Sequence, residues 1–145
     1  MDTENHIPPE HAFLHAFAVD PSDIDELGHA NNVVWVRWVN EAAIAHSRAV
    51  GLGPDAYVSM RVLWVVRRHD IEYLVPALSG ESLEAITWVA TLRGATSLRR
   101  TVIRRRDDRC LLARAETTWA LVDLETGRPR RIPKEILSRY GFNGS

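Results

Sequence analysis

The segment from Asn32 to Val50 most constrains the fold, because it combines helical length with apolar side chains around most of its circumference. Its apolar residues are Val33, Val34, Trp35, Val36, Trp38, Val39, Ala42, Ala43, Ile44, Ala45 and Ala49. The charged residues lie on one narrow stripe: Arg37, Glu41 and Arg48. A helix that is apolar nearly all round must be buried nearly all round, and the chain has no uninterrupted run of about 18 apolar residues that could span a membrane. The rest of the chain must therefore wrap it.

Both ends of this helix carry end signals. Asn31 or Asn32 is suited to be the N-cap, because its side-chain oxygen accepts from the free N–H groups of the first turn. At the other end, Gly51 stands where a helix commonly finishes in a left-handed conformation, and Pro54 bars continuation. The predicted helix therefore runs from about Asn32 to Val50.

Strand-like segments surround the helix. One precedes it (residues 11–19), and four follow Met60: residues 61–74, 82–92, 97–106 and 110–123. Turn signals separate them, and the last one alternates apolar and polar residues with a period of two. Residues 132–140 are suited to a short terminal helix. We predict an α+β fold, an antiparallel sheet of about five strands wrapped round one long buried helix. A loose arm of residues 1–10 precedes a single domain of residues 11–140.

Composition narrows the class of protein. The chain has 145 residues and one cysteine, Cys110, which excludes an internal disulfide framework and suits a reducing compartment. The start of the chain lacks the features of a secretory signal, so we expect a cytoplasmic protein. The net charge of −1 hides a division: residues 1–60 carry nine acids and two bases, and sixteen of the eighteen bases follow.

The segment before the helix, residues 22–32, concentrates polar chemistry. It places Asp23, Asp25 and His29 just ahead of a helix N-terminus, whose free N–H groups suit an oxygen that becomes negative. A carboxylate there can attack a thioester carbonyl or activate a water, and Gly28 lets the backbone approach a ligand. The structural alternative is that these residues only cap the helix and form turns.

Four segments, in order, resemble the acyl-CoA thioesterases of the hot-dog superfamily. They are SDIDELGHANNVVWVRWVNEAA, HDIEYLVPALSGESLEA, RGATSLRRTVIRR and RPRRIPKEI. The group they resemble most is the 4-hydroxybenzoyl-CoA and Tol-Pal-associated thioesterase family, and the match covers residues 11–137. The resemblance implies the hot-dog fold and hydrolysis of an acyl- or aryl-CoA to free acid and CoA.

The resemblance also assigns catalytic roles. The family's carboxylate falls on Asp25, as nucleophile or general base, and its carbonyl-polarising N–H falls near Asn32. Asp23 takes the supporting position. The family's typical histidine is replaced by Asn32, and the chain has His29 instead, in a Gly-His-x-Asn-Asn run that resembles plant acyl-carrier-protein thioesterases. We expect His29 to help orient the thioester.

Further expectations concern binding. By the resemblance, the substrate-binding residues are Gly28, Asp23, Tyr73 and Arg93. The substrate is an acyl-CoA, no metal or redox cofactor is required, and the active site lies between subunits of a homodimer or homotetramer. Neither nucleic acid nor stable membrane insertion is expected. Arginines suit the CoA phosphates; the candidates are Arg67, Arg68, Arg99, Arg100, Arg104, Arg105, Arg106, Arg128, Arg130 and Arg131.

Several alternatives remain open at this level. The first is a non-catalytic module that binds acyl-CoA or acyl carrier protein. The second is an acyl-carrier-protein thioesterase. The third is a hydratase, although the residue pattern of hydratases is missing. The predicted helix also carries a carboxylate, Glu41, which we interpret as an ion-pair partner of Arg37 or Arg48. A metal site built from Asp25, His29 and His46 lacks a dedicated ligand spacing. The five tryptophans are expected mostly in the core, with one or two lining an acyl pocket.

Overall fold

Five antiparallel strands form one sheet in the computed structural model, which describes residues 6–143. The strands are β1 (Phe13–Ala18), β2 (Val62–Tyr73), β3 (Ser82–Arg93), β4 (Thr96–Arg105) and β5 (Leu111–Asp123), and their order in the sheet is β1-β3-β4-β5-β2. The helices are α1 (Asn32–Ala49), α2 (Pro54–Met60) and α3 (Lys134–Arg139). The predicted α+β architecture, one sheet around a long helix, is confirmed.

One face of α1 packs on the sheet and forms the main core. Trp38, Val39 and Ala42 are each at most 2% exposed, and they share a cluster with Ala85 of β3 and Ile103 of β4. Complete burial of a side chain such as Val39 contributes about 1.5–3 kcal/mol. The helix is therefore held mainly by this face rather than by its intrinsic propensity.

The opposite face of α1 is exposed, which differs from the expectation of burial nearly all round. Val33 is 78% exposed and Ile44 is 50% exposed, and they lie on one stripe with Arg37, Glu41 and Arg48. The physical reason is that a single curved sheet covers one side of a helix. An apolar residue on the far side needs a second layer, which residues 6–143 do not supply.

Both predicted end signals of α1 are confirmed. The N-cap is Asn31, whose Oδ1 accepts from the N–H groups of Val33 at 2.9 Å and Val34 at 3.3 Å. Gly51 has a φ of +84°, the left-handed conformation that glycine adopts without strain. The short helix α2 was not predicted. Pro54 was expected only to end the preceding helix, but it occupies the first turn of α2, where proline loses no hydrogen bond.

The register of the strands defines two ends of the sheet. The end that carries Tyr73 also carries Ala18 and Ser82, and we call it the Tyr73 end. The other carries Arg93 and Val62, and we call it the Arg93 end. The N–H of Ala30 donates to the carbonyl of Ala77 at 3.0 Å, so α1 begins at the Tyr73 end. Its second half therefore lies over the Arg93 end.

The predicted loose arm falls partly outside the described residues, since residues 1–5 are not among them. Within its remainder, His6 is buried, and its Nε2 lies 3.3 Å from the carbonyl oxygen of Ala115.

None of the helices within residues 6–143 is both long and apolar enough to cross a membrane.

The N-cap provides a first prediction. The Asn31→Ala variant should lose about 1 kcal/mol of unfolding free energy, because two N–H groups of α1 lose their acceptor. Denaturant unfolding of both proteins measures this. The matched control is Asn32→Ala at the next position, where the exposed side chain makes no cap bond and the change should stay within about 0.5 kcal/mol. Equal losses in the two variants would contradict the assigned cap.

Candidate active site

A closed loop ahead of α1 carries the predicted catalytic residues. It starts in a 3₁₀ turn, Pro21–Asp23, and is closed by a bridge between Ile24 and Ala30. Inside it, the Asp25 N–H donates to the carbonyl of His29 at 2.9 Å. The bridge and this bond place Asp25 and His29 at the neck of one tight turn.

The carboxylate of Asp25 organises this turn. Its Oδ1 accepts from the N–H groups of Leu27 at 2.9 Å and His29 at 3.3 Å. Gly28 has a φ of +80°, and a side chain there would be strained. The side chains of Asp25 and His29 are both exposed. One carboxylate oxygen therefore holds the loop, while no hydrogen bond within residues 6–143 engages Oδ2.

Asp23 ties the loop to the helix. Its side chain is only 6% exposed, and its Oδ2 accepts from Nη2 of Arg37 at 2.8 Å. The Arg37 guanidinium also contacts Glu41 at 3.3 Å, which confirms the interpretation of Glu41 as an ion-pair partner. Because Asp23 and Arg37 belong to different elements, their bond fixes the loop against the first turns of α1.

The first turn of α1 presents one uncommitted donor. Asn31 satisfies the N–H groups of Val33 and Val34, whereas the N–H of Asn32 has no acceptor among the described residues. Asn32 itself is exposed. A free N–H at the positive end of an 18-residue helix favours an oxygen that gains negative charge. The site thus combines an exposed carboxylate with a free N–H donor at the start of α1.

The other predicted site residues are divided between the two ends of the sheet. Tyr73 lies at the same end as the loop, with its ring centroid 5.9 Å from that of Trp35. Arg93 lies at the opposite end, so within one protomer it does not join Asp25. Among residues 6–143 no group of His, Cys, Asp and Glu side chains could hold a metal ion.

A large cavity lies at the Arg93 end. It has a volume of about 440 Å³, in the range of small-molecule pockets. The second half of α1, α2 and the concave face of the sheet form its walls, and Trp64 and Trp119 both line it. Four exposed apolar side chains surround it: Ile44, Val58, Leu63 and Leu124.

Arg99 lies on the wall of this cavity, which corrects its inclusion among surface arginines. It is 5% exposed, and its Nη1 lies 2.9 Å from Nδ1 of His46 and 3.1 Å from Oγ1 of Thr87. Sequence reasoning missed this burial. The signal was the period of two along β4, which places Arg99 on the same face as buried Thr101 and Ile103.

Aromatic and hydroxyl groups complete this part of the cavity. The hydroxyls of Ser47 and Tyr57 are 2.6 Å apart, and burial raises the pKa of Tyr57 to about 12. The guanidinium of Arg99 lies 5.9 Å from the ring centroid of Tyr140. Burial, followed by the charge of Arg99, lowers the pKa of His46 to about 4. His46 is therefore neutral near pH 7 and accepts a hydrogen bond from Arg99.

Known proteins resemble the chain over most of its length. Residues 10–140 match the family described as acyl-ACP thioesterase N-terminal domain. The acyl-CoA thioester hydrolase YbgC of Escherichia coli is 30% identical over 81% of this chain and 87% of its own. The chain belongs to the hot-dog thioesterases. The prediction of a thioester hydrolase is thereby confirmed.

Solved structures of other proteins share the fold. A 1,4-dihydroxy-2-naphthoyl-CoA thioesterase from Synechocystis superimposes with a TM-score of 0.82 at 18% identity, over 89% of this chain and 95% of that one. A Staphylococcus aureus protein solved in complex with CoA gives a TM-score of 0.82 at 14% identity, over 93% and 87%. At these identities the likeness establishes the fold of this thioesterase, and its site residues rest on the chain's own geometry.

The buried histidine of the thioesterase provides a prediction on pH. As the pH falls below about 6.5, the unfolded chain protonates His46 first, because the folded pKa is about 4. The unfolding free energy therefore falls on acidification, and His46 accounts for about 2 kcal/mol of the fall from pH 7 to pH 5. The His46→Asn variant keeps an acceptor and does not titrate, so its unfolding free energy should fall by about 2 kcal/mol less than that of the wild type. Unfolding free energies at the two pH values measure the difference; identical losses would contradict a buried neutral His46.

Proposed function

We propose that the protein hydrolyses the thioester of an acyl- or aryl-CoA to the free acid and CoA, with Asp25 as nucleophile or general base. The observation that carries the proposal is the pairing of an exposed Asp25 carboxylate with the free N–H of Asn32 at the start of α1. The two groups supply what thioester hydrolysis requires, an attacking oxygen and a donor for the carbonyl.

The proposed reaction uses this geometry directly. The thioester carbonyl oxygen accepts from the Asn32 N–H, and the positive end of α1 stabilises its developing negative charge. Either Oδ2 of Asp25 adds to the carbonyl carbon, or Asp25 removes a proton from a water that adds. The C–S bond then breaks and CoA leaves as its thiolate, which takes up a proton. In the nucleophilic route, water afterwards hydrolyses the mixed anhydride.

The neighbouring residues have supporting roles in this proposal. His29 lies at the neck of the same turn as Asp25 and helps to orient the thioester, and Gly28 allows close approach of the ligand. Asp23 acts as a positioning residue, because its bond to Arg37 fixes the loop.

We further propose that two copies assemble the complete site. β1 and β2 are the edge strands of the sheet, and unpaired edges are open to pairing. Antiparallel pairing of two β2 edges places the Tyr73 end of one protomer beside the Arg93 end of the other. Asp25 and Tyr73 then lie at the same end of the joined sheet as Arg93 of the partner subunit. A homodimer, or a tetramer built from dimers, joins the predicted residues that one protomer separates.

The remaining predictions belong to the same proposal. Residues 11–140 act as one thioesterase domain in the cytoplasm, and the subfamily is that of 4-hydroxybenzoyl-CoA and Tol-Pal-associated thioesterases. Neither a cofactor nor nucleic acid takes part. The naming of YbgC as an acyl-CoA thioester hydrolase supports CoA as the carrier.

The second candidate carrier is acyl carrier protein. The matching family is described as an acyl-ACP thioesterase domain, and the run from Gly28 to Asn32 resembles that branch. Thiol release from the same acyl group on CoA and on acyl carrier protein distinguishes the two carriers.

Exposed arginines are proposed to hold the CoA phosphates. Ion pairs already engage Arg100 with Glu116 at 3.3 Å and Arg104 with Glu84 at 2.5 Å. Arg106, in the turn after β4 at the Tyr73 end, is exposed and forms no ion pair within residues 6–143. It is therefore the candidate that the position of Asp25 favours.

The role of Asp25 is tested by its isosteric variant. Asp25→Asn should lose at least about 100-fold in kcat, because an amide neither attacks a thioester nor accepts a proton. Asn keeps Oδ1, and with it the bonds from Leu27 and His29, so the turn should be retained. Release of free thiol across short, medium, long and aryl acyl-CoAs measures the rate. The control is Glu26→Gln on the same exposed turn, which should remain near wild type; turnover near wild type in Asp25→Asn would refute the proposal.

The phosphate proposal gives a salt dependence. KM for an acyl-CoA should rise at least about twofold between 0.1 M and 1 M salt, as the screening length falls from about 10 Å to about 3 Å. The same acyl group on N-acetylcysteamine lacks the phosphates, so its KM should not follow. Steady-state thiol release measures both substrates, and parallel behaviour of the two would exclude arginine–phosphate recognition.

A further inference from the structure

The cavity at the Arg93 end contains a buried cation without a carboxylate partner. Arg99 is 5% exposed and forms no ion pair within residues 6–143. Its hydrogen-bond partners are His46, Thr87 and Tyr140, none of which is a carboxylate. By contrast, its neighbour on β4, Arg100, points to the other face of the sheet and pairs with Glu116. Among residues 6–143, the positive charge of Arg99 beneath α1 therefore has no negative partner.

Such an arrangement is unfavourable in the empty protein. A buried charge is stable only when it is paired and hydrogen-bonded, and an arginine does not escape by losing its proton. Burial lowers the pKa of Arg99, which marks the same unfavourable environment. The neutral His46 and Thr87 orient the guanidinium but leave its charge in place.

The same wall holds a second donor without an acceptor. The indole Nε1 of Trp119 is buried and has no hydrogen-bond partner among the described residues. Trp119 pairs with Ser97, two residues before Arg99 on β4, so the two side chains are diagonal neighbours on the same face. Both residues line the cavity. The remaining walls are largely apolar, with Val89, Leu92 and Trp64 among them.

We propose that this cavity binds an apolar chain that ends in a carboxylate, with the carboxylate paired to Arg99. The apolar walls take the chain, and the exposed apolar rim at Ile44 and Val58 admits it. The carboxylate supplies the missing negative charge and acceptors for the guanidinium N–H groups. The predicted catalytic residues do not line this cavity, and neither do the predicted substrate-binding residues Gly28, Asp23, Tyr73 and Arg93.

Two sources share this chemistry. One is a free fatty acid. The other is an acyl thioester whose far end carries a free carboxylate. This source rests on the proposed function and its dimer, because the thioester then has to lie at Asp25 of the partner subunit. The binding experiment below does not depend on catalysis, so it separates the two proposals.

Calorimetric titration of the wild-type protein with octanoate and with octanamide tests the site. Octanamide matches octanoate in length but has no charge, so octanoate should bind at least about tenfold more tightly. Hexanoate, decanoate and dodecanoate extend the series. Equal affinity for acid and amide, or no binding of any acid in the series, would overturn the proposal without any variant.

Two variants of Arg99 place the effect at the cavity. Arg99→Met keeps the unbranched bulk and removes the charge, so the preference for octanoate over octanamide should disappear. The same variant should be at least as stable as wild type without ligand, because a buried unpaired charge is removed. Arg99→Lys should also keep the preference, because a lysine that releases its proton in the empty cavity takes it up again beside a bound carboxylate. An unchanged preference in a folded Arg99→Met protein would also overturn the proposal.

A kinetic comparison identifies the source of the carboxylate. If the substrate carries it, suberyl-CoA should exceed octanoyl-CoA in kcat/KM at least about tenfold, and Arg99→Met should remove the difference. Equal kcat/KM values for the two thioesters, together with octanoate binding, would identify a free fatty acid as the ligand of the cavity. Hydrolysis of neither thioester, nor of any short, medium, long or aryl acyl-CoA, with octanoate still bound, would refute the proposed function and leave the carboxylate site intact.

Discussion

The packing of α1 on the concave face of the sheet is the constraint on which the other features depend. Ala42 is fully buried at this contact and Trp38 is 2% exposed, so the helix has little freedom to shift on the sheet. The Asp25 loop is attached to α1 through Asp23 and Arg37 and to the sheet through Ala30 and Ala77. Its position therefore follows from the packing of the helix rather than from the loop's own sequence.

The two ends of α1 lie in opposite environments. At the N-terminal end, the Asp25 side chain is exposed and Oδ1 is used by the turn. At the C-terminal half, α2 and the sheet enclose an apolar cavity with Arg99 on its wall. One chain thus provides a solvated carboxylate, that of Asp25, ahead of α1 and a desolvated cation, that of Arg99, beneath the second half of the same helix. The dimer that we propose, with antiparallel pairing across β2, brings the Asp25 end of one chain to the same end of the joined sheet as the Arg99 cavity of the other.

Much of this fold could be predicted from the sequence, because periodicity and end signals are local. Asn31 and Gly51 bound α1 as expected, and four strands follow Met60 within a few residues of their predicted limits. The exposure of Val33 could not be predicted, because it depends on whether a second layer covers the far face of the helix. The short helix beginning at Pro54 was also missed, since its seven residues carry no long periodic pattern. In the candidate site, the crowding of Asp23, Asp25 and His29 on one loop was evident from their spacing, whereas the separation of Arg93 from them is a property of the strand order.

The arginines of β4 illustrate why composition alone misleads. The outward-facing Arg100 and Arg104 meet Glu116 and Glu84 on neighbouring strands, so each side chain finds a fixed counter-charge. The side chain of Arg99, one position earlier, points to the opposite face of the sheet and lies within hydrogen-bond distance of His46 and Thr87. A lysine at position 99 would relieve its burial by releasing a proton, since buried lysines shift their pKa readily. An arginine retains its charge at every physiological pH. The sequence therefore places a permanent cation on the wall of this cavity, and a bound carboxylate is the partner that we propose for it.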